Sequence, residues 1–341
     1  MFRVLVIGDK FIPASTYVEQ WEKKVQTEPV LNDVELIPLE WNLDKADQHR
    51  LQQVMEWDGA NAVQPPPEIL EAVSDVDAIV MHFAPVGKAV IEAAPKLALI
   101  AVARAGLENV DQEAAQARGI AVTGVAGRNA AAVAELAIGL MLSECRNISR
   151  ADQSIKSGGW RKTFEPPMIE LGESTIGIVG WGQVARHLGH KLQGLAGRLI
   201  VHDPYANPED IRSAGGEVVE FDEVFQHSDF VHVMARLTPE TERFIGQAQF
   251  QMMKPTAYFI NTARSRLVDY DALYSALATR QIAGAGLDVF DDEPLADDSP
   301  WRALDNVTMT THYGGDTTGT NKTSARLVLE EIAQFLHQTD K

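Results

Sequence analysis

Three side chains of complementary chemistry, Arg264, Glu293 and His312, each stand just beyond an apolar run of strand length. Arg264 follows Ala257-Tyr258-Phe259-Ile260, Glu293 follows Gly286-Leu287-Asp288-Val289-Phe290, and His312 follows Val307-Thr308-Met309-Thr310. A guanidinium grips a carboxylate through two parallel hydrogen bonds and polarises an adjacent carbonyl. An imidazole exchanges a proton near neutral pH, and a carboxylate beside it favours the imidazolium and orients the ring. With a nicotinamide in reach, the three suit hydride transfer to the carbonyl of a 2-keto acid. Taken singly each has a plainer reading: a surface cation, a loop residue before Pro294, a strand-end histidine satisfied by its neighbours.

What would bring them together is an open α/β sheet, in which ligands bind at the carboxyl ends of the strands. The stretch Ser174 to Tyr205 supplies the cofactor half of such a site. Thr175-Ile176-Gly177-Ile178-Val179 reads as a strand and Gly180-Trp181-Gly182-Gln183-Val184-Ala185 as a glycine turn. Val184, Leu188, Leu192 and Leu195 mark one face of a helix, and Leu199-Ile200-Val201 is a second strand ending at Asp203. Gly180 permits the tight turn, Gly182 lets the backbone approach a pyrophosphate, and Ala185 lets helix and strand pack closely. The helix N-terminus offers unpaired N–H groups to the phosphates. Asp203, about twenty residues on from the glycines, is placed to bond the adenine ribose and to repel the 2′-phosphate of NADP. NAD is therefore the expected cofactor, with NADH preferred over NADPH.

Residues before about 125 alternate strand-like runs (Val4–Ile7, Val34–Ile37, Ala78–Met81, Leu97–Val102, Ile120–Val122) with helical stretches (Pro67–Val73, Gly87–Ala93, Asn109–Ala117). This alternation predicts a parallel sheet, but no dinucleotide fingerprint appears in it. His82-Phe83, just after a strand, is a candidate lining of the substrate side. Asn129 is placed to cap a long apolar helix from Ala130 to Cys145, and the segment from Lys156 to Pro167 reads as a loop or arm carrying Trp160. Beyond Asp203, Phe230–Met234 is strand-like and leads into Thr238-Pro239-Glu240-Thr241, read as a turn that starts a helix. Asp269 to Thr279 is helical, and Ala325, Val328, Leu329, Ile332, Phe335 and Leu336 mark a terminal amphipathic helix.

With 341 residues the chain is long enough for about two domains. Its 30 Lys and Arg against 48 Asp and Glu give a formal charge of −18, unsuited to nucleic acid or an anionic membrane surface. An anionic substrate must therefore meet a local arginine cluster. Cys145 is the only cysteine, so neither a disulfide framework nor a cysteine metal site is expected. His187 and His190 lie three apart on the cofactor helix without an evident third ligand, and no metal site is expected from them. The N-terminus reads as a strand rather than a leader, and the longest apolar tract, Ala130 to Leu142, is too short to span a bilayer. A cytoplasmic protein is the expectation.

Several segments in order resemble the D-isomer-specific 2-hydroxyacid dehydrogenases, the family of glycerate and 3-phosphoglycerate dehydrogenases. They are RAGLENVD at 104–111, GIVGWGQVA at 177–185, LTPET at 237–241, NTARSRLVD at 261–269, GLDVFDDEPL at 286–295 and THYGGDT at 311–317. The resemblance covers most of the chain from about Ala94. It implies two Rossmann-like or flavodoxin-like parallel-sheet domains separated by a cleft. The substrate domain would comprise residues 1–125 and 316–341, and the NAD-binding domain residues 126–315. It further implies that Arg264 anchors substrate, that His312 is the acid/base and that Glu293 pairs with it. Gln183 and Val184 would approach the pyrophosphate and Asp288 the nicotinamide carboxamide, while Thr262, Ala263 and the turn from His312 through Gly314 and Gly315 would lie along the nicotinamide. The loop Arg104-Ala105-Gly106 would give N–H groups to the substrate carboxylate. A homodimer built on the long helix and its arm, and the D stereochemistry, also follow from the resemblance alone.

The sequence departs from the family pattern in three places. The Arg104–Asp111 loop is shorter than in phosphoglycerate dehydrogenases, Ser265-Arg266 replace a glycine pair, and Arg236 stands where proline is common. The chain ends soon after the terminal helix, so no regulatory amino-acid-binding domain is expected there. Two other functions fit parts of the pattern. An NADH-sensing corepressor shares this fold and retains similar residues, whereas a methyltransferase would leave Arg264, Glu293 and His312 unexplained. A formate dehydrogenase pairs its histidine with glutamine, whereas Glu293 stands here.

Overall fold

The computed structural model describes residues 1–339, which divide into two compact units, Met1–Arg128 with the chain from Thr317 onward, and Asn129–Asp316. Each unit is built on a wholly parallel sheet, so the expected two-sheet α/β architecture is present.

The first sheet has the order β2-β1-β3-β4-β5, from β1 (Phe2–Gly8), β2 (Val34–Glu40), β3 (Ala78–Met81), β4 (Leu99–Val102) and β5 (Ala121–Gly124). Successive side chains along a strand point to opposite faces, so each run feeds two cores. Leu5, Ile7, Ile79, Met81, Ile100 and Val102 fill one face. Val4, Val6, Ala78, Val80, Leu99 and Ala101 fill the other, against Tyr17 and Trp21 of the helix Ala14–Val25 and Ala325, Val328, Leu329 and Ile332 of the terminal helix Thr318–Thr339. Burial on both faces is why these strands read as unbroken apolar runs.

The second sheet has seven strands in the order β12-β11-β10-β9-β6-β7-β8. They are β6 (Thr175–Val179), β7 (Arg198–His202), β8 (Gly216–Val218), β9 (Phe230–Val233), β10 (Tyr258–Asn261), β11 (Gly284–Leu287) and β12 (Val307–Met309). On one face lie the helices Ala130–Cys145 and Gln183–Leu192, and on the other Phe221–His227, Gln247–Met252 and Tyr270–Ala278. The order reverses between β6 and β9, the topological switch point at which such sheets bind ligands.

Local expectations fail in three places. The cofactor helix ends at Leu192, so Leu195 lies beyond it and is exposed. Asn129 holds the N-cap position of its helix, but its side chain makes no cap hydrogen bond and packs instead against Gly315. Thr238–Thr241 starts no helix: the Thr241 hydroxyl closes the loop on itself, and the next helix begins at Gln247.

Candidate active site

Because all strands of the second sheet are parallel, residues that follow β10, β11 and β12 emerge at one edge. Arg264, Asp288 and His312 come from these three adjacent strand ends. His312 Nδ1 lies 2.7 Å from Glu293 Oε2, and Glu293 Oε1 accepts the Phe290 N–H at 2.8 Å. The carboxylate is thus anchored to its own loop while it orients the ring. The hydrogen bond to Glu293 raises the His312 pKa against the opposing effect of burial, with the charges of Glu293 and Asp288 adding to the rise. Burial acts against the Glu293 carboxylate, but the bonds from His312 and Phe290 and the charge of Arg264 outweigh it and hold its pKa below the ordinary value. Both shifts favour the ion pair. Half-exposed, with 44% of its side chain accessible, His312 keeps Nε2 available for a proton transfer.

His312 itself sits at φ 54°, a left-handed backbone that few non-glycine residues adopt. The buried Asp288 carboxylate holds this turn: it accepts the Tyr313 and Gly314 N–H groups at 3.2 and 3.0 Å and the Thr310 hydroxyl at 2.6 Å. A Cβ on Gly314 would come within 2.9 Å of Asp288 Oδ2, and one on Gly315 within 2.5 Å of Asn129 Nδ2, so both glycines let these side chains pack closely on the turn. The sequence marked Asp288 only through the family resemblance. Nothing in its local pattern shows that it fixes the histidine.

Arg264 lies on the surface and donates to the Ala263 carbonyl at 2.7 Å, and among the described residues it forms no ion pair. Asn261 secures its backbone, bonding the Arg264 carbonyl through Nδ2 and the Ala263 N–H through Oδ1. In so negative a chain a guanidinium without a carboxylate is set to take one from a ligand.

At the switch point, Gly180 adopts φ 94°, and a Cβ there would stand 2.6 Å from the Ala235 Cα, so only glycine fits. Gly182 caps the helix Gln183–Leu192, and no heavy atom lies within 4 Å of where its Cβ would be. That leaves open space above the helix N-terminus and the residues Gln183 and Val184. Ala185 is fully buried against the strand layer. Asp203 Oδ2 accepts the Trp181 N–H at 2.6 Å, and Oδ1 accepts those of Tyr205 and Ala206 at 2.8 and 3.1 Å. It therefore shapes the turn. Buried Thr262 Oγ1, beside Ala263, has no hydrogen-bond partner among the described residues. An open glycine cradle and an orphaned hydroxyl fit a dinucleotide.

In the first unit, the N–H groups of Arg104, Ala105 and Gly106 have no acceptor among the described residues. The Arg104 guanidinium is committed to Glu56 and Glu108 at 3.2 and 3.0 Å and stacks over Phe83. His82 is buried beside Phe83, its Nδ1 3.3 Å from Asp9 Oδ2 but misaligned for a hydrogen bond. Burial lowers its pKa despite the nearby Asp9, which favours the neutral ring. His187 and His190 are both exposed, and no group of three His, Cys, Asp or Glu side chains among the described residues is arranged to hold a metal ion. No described helix is long and apolar enough to cross a membrane.

A family model described as the NAD binding domain of D-isomer specific 2-hydroxyacid dehydrogenase matches residues 138–314. The chain is 39% identical over 272 residues to D-3-phosphoglycerate dehydrogenase of Methanocaldococcus jannaschii, a match covering 79% of this chain and 51% of the relative. It thus spans about half the length of that protein. Glyoxylate reductase of Korarchaeum cryptofilum is 35% identical over 271 residues, covering 78% of this chain and 82% of the relative. The NAD-complexed crystal structure of a D-isomer specific 2-hydroxyacid dehydrogenase from Lactobacillus delbrueckii ssp. bulgaricus shares the fold. It superposes with a TM-score of 0.78 at 22% identity, over 99% of this chain and 97% of that one. The chain therefore belongs to the D-isomer specific 2-hydroxyacid dehydrogenases, a family of NAD-dependent dehydrogenases.

Proposed function

We propose that the protein reduces a small 2-keto acid to its D-2-hydroxy acid with NADH, Arg264 anchoring the substrate and His312 supplying the proton. The observation that carries this reading is the 2.7 Å hydrogen bond between His312 and Glu293, with His312 two strand ends along the sheet edge from Arg264, which forms no ion pair among the described residues. Arg264 takes the substrate carboxylate and polarises the adjacent carbonyl. His312, charged through its pairing with Glu293, gives the Nε2 proton to the carbonyl oxygen as that oxygen becomes an alkoxide. A bound dihydronicotinamide supplies the hydride that reduces the carbonyl carbon. In the reverse direction neutral His312 takes the hydroxyl proton.

The same reading assigns the remaining residues. Gly180, Gly182, Gln183 and Val184 receive the pyrophosphate, and Asp203 bonds the ribose hydroxyls and disfavours NADPH. Thr262, Ala263, Gly314 and Gly315 border the nicotinamide, and Asp288, which retains lone pairs, accepts from its carboxamide. The free N–H groups of Arg104, Ala105 and Gly106 serve the substrate carboxylate, and His82 acts through its buried contact with Phe83. Relatives named glyoxylate reductase and phosphoglycerate dehydrogenase make short 2-keto acids the substrates to try first.

We also read the protein as a homodimer. Support comes from exposed Ile148 and Ile155 on the helix Ile148–Lys156, from Trp160 on the arm that follows and from Met168 just beyond it.

The test is loss of NADH absorbance with glyoxylate, hydroxypyruvate, pyruvate, and branched and aromatic 2-keto acids. Turnover of at least one is expected. Tight NADH binding with no turnover of any would contradict the reading and favour a sensor.

A further inference from the structure

We propose that Arg236 binds the pyrophosphate of the dinucleotide, acting as a cationic clamp opposite the glycine turn. The inference rests on NAD binding at the second sheet. Arg236 follows β9, the strand paired with β6 across the switch point. The residue before it, Ala235, abuts Gly180, and this contact excludes any Cβ from the turn. Arg236 is therefore tethered beside the glycine cradle, next to the open space at Gly182.

Its backbone is fixed. The Thr241 hydroxyl donates to the Arg236 carbonyl at 2.7 Å and accepts the Thr238 N–H at 2.8 Å, locking the loop from which the side chain projects. The guanidinium is exposed and, among the described residues, makes no hydrogen bond or ion pair. Elsewhere Arg150, Arg186, Arg198 and Arg266 each find a carboxylate, as a chain of net charge −18 makes easy. A cation left free at the switch point, in a protein whose overall field repels anions, has a function if it meets the phosphates.

The strand order selects which phosphate. β9 and β7 flank β6 on opposite sides, so Arg236 and the ribose-side Asp203 stand on opposite flanks of the turn. That placement favours the pyrophosphate over the 2′-phosphate of NADPH, which would sit on the Asp203 side.

The experiment measures NADH, NADPH, ADP and adenosine binding by titration calorimetry or displacement of NADH fluorescence, for the native protein and for Arg236→Ala, Arg236→Gln and Arg236→Lys. The Ala and Gln variants are expected to bind NADH, NADPH and ADP about tenfold more weakly, the scale of one charge-assisted hydrogen bond. Adenosine, which has no phosphate, should bind all four proteins alike, and Lys should recover part of the loss. NADH and ADP affinities within about twofold of native would overturn the proposal. So would an equal loss for adenosine, a loss confined to NADPH, or a rise in KM for the 2-keto acid at unchanged NADH affinity. Failure of the native protein to bind NADH would instead remove the cofactor reading on which the clamp depends.

Discussion

Asp288 accepts the Gly314 N–H at 3.0 Å, and through that bond and the neighbouring one from Tyr313 it holds His312 in a left-handed backbone conformation. A non-glycine residue at φ 54° persists only where its surroundings over-determine it. Here the surroundings are a buried carboxylate, two glycines and Asn129. Asp288→Ala should release the turn, lowering kcat more than it raises KM and destabilising the fold by about 1–3 kcal/mol through the orphaned N–H groups. Steady-state kinetics beside thermal melts check this. An unchanged kcat would mean that the turn holds without Asp288.

The pairing of Glu293 with His312 makes a prediction about pH. Reduction needs the imidazolium, so kcat/KM for the keto acid is highest below the His312 pKa and falls as pH rises through it. Glu293 raises that pKa, which carries the falling limb to higher pH. Glu293→Gln removes the charge, and the limb should move to lower pH. In the oxidative direction, which needs neutral His312, the rising limb should move to lower pH as well. Profiles that coincide with native would separate Glu293 from the acid/base step.

Asp203 serves two purposes, and its replacement should separate them. Asp203→Asn keeps an acceptor for Tyr205 and Ala206 yet removes the negative charge facing a 2′-phosphate. The ratio of NADPH to NADH affinity should rise by about tenfold, equivalent to ~1.4 kcal/mol. Dissociation constants for both cofactors give the answer, and an unaltered ratio would remove the ribose-selection argument.

Gly180→Ala tests the cradle directly. The new Cβ meets the Ala235 Cα at 2.6 Å and the backbone must hold φ 94°. The strain should cost about 1–3 kcal/mol and lower the melting temperature by several degrees. NADH affinity should fall with it. A variant as stable as native and equally tight for NADH would show that the turn tolerates a side chain.

Much of this was legible in the sequence, for identifiable reasons. Both-face burial makes β1, β3, β4 and β10 continuous apolar runs, and the glycine turn announces itself because Gly180 has no alternative beside Ala235. The parallel order of β10, β11 and β12 then turns three separate strand-end residues into neighbours, a convergence no local pattern contains. The helix Ala14–Val25 opens at Pro13 without a side-chain cap, although Ala14, Tyr17 and Trp21 recur at helical spacing, and Lys45–Asp58 is rich in polar residues. β8 is three residues long with two of them exposed, too short for a periodic signal. The expected helix start at Thr238 fails because the Thr241 hydroxyl bonds backward to Arg236 instead of leading into a helix. The left-handed turn at His312 and the tie from Asp288 depend on residues over twenty positions apart, so only the folded chain reveals them.

The proposed reduction turns on His312 as the group that delivers the proton to the 2-keto acid. The most direct measurement compares kcat of native protein and His312→Ala on the best keto acid, with NADH binding measured in parallel. The expected result is a loss of about 10²–10⁴-fold in kcat with NADH affinity nearly unchanged. Turnover at the native rate in His312→Ala would contradict it.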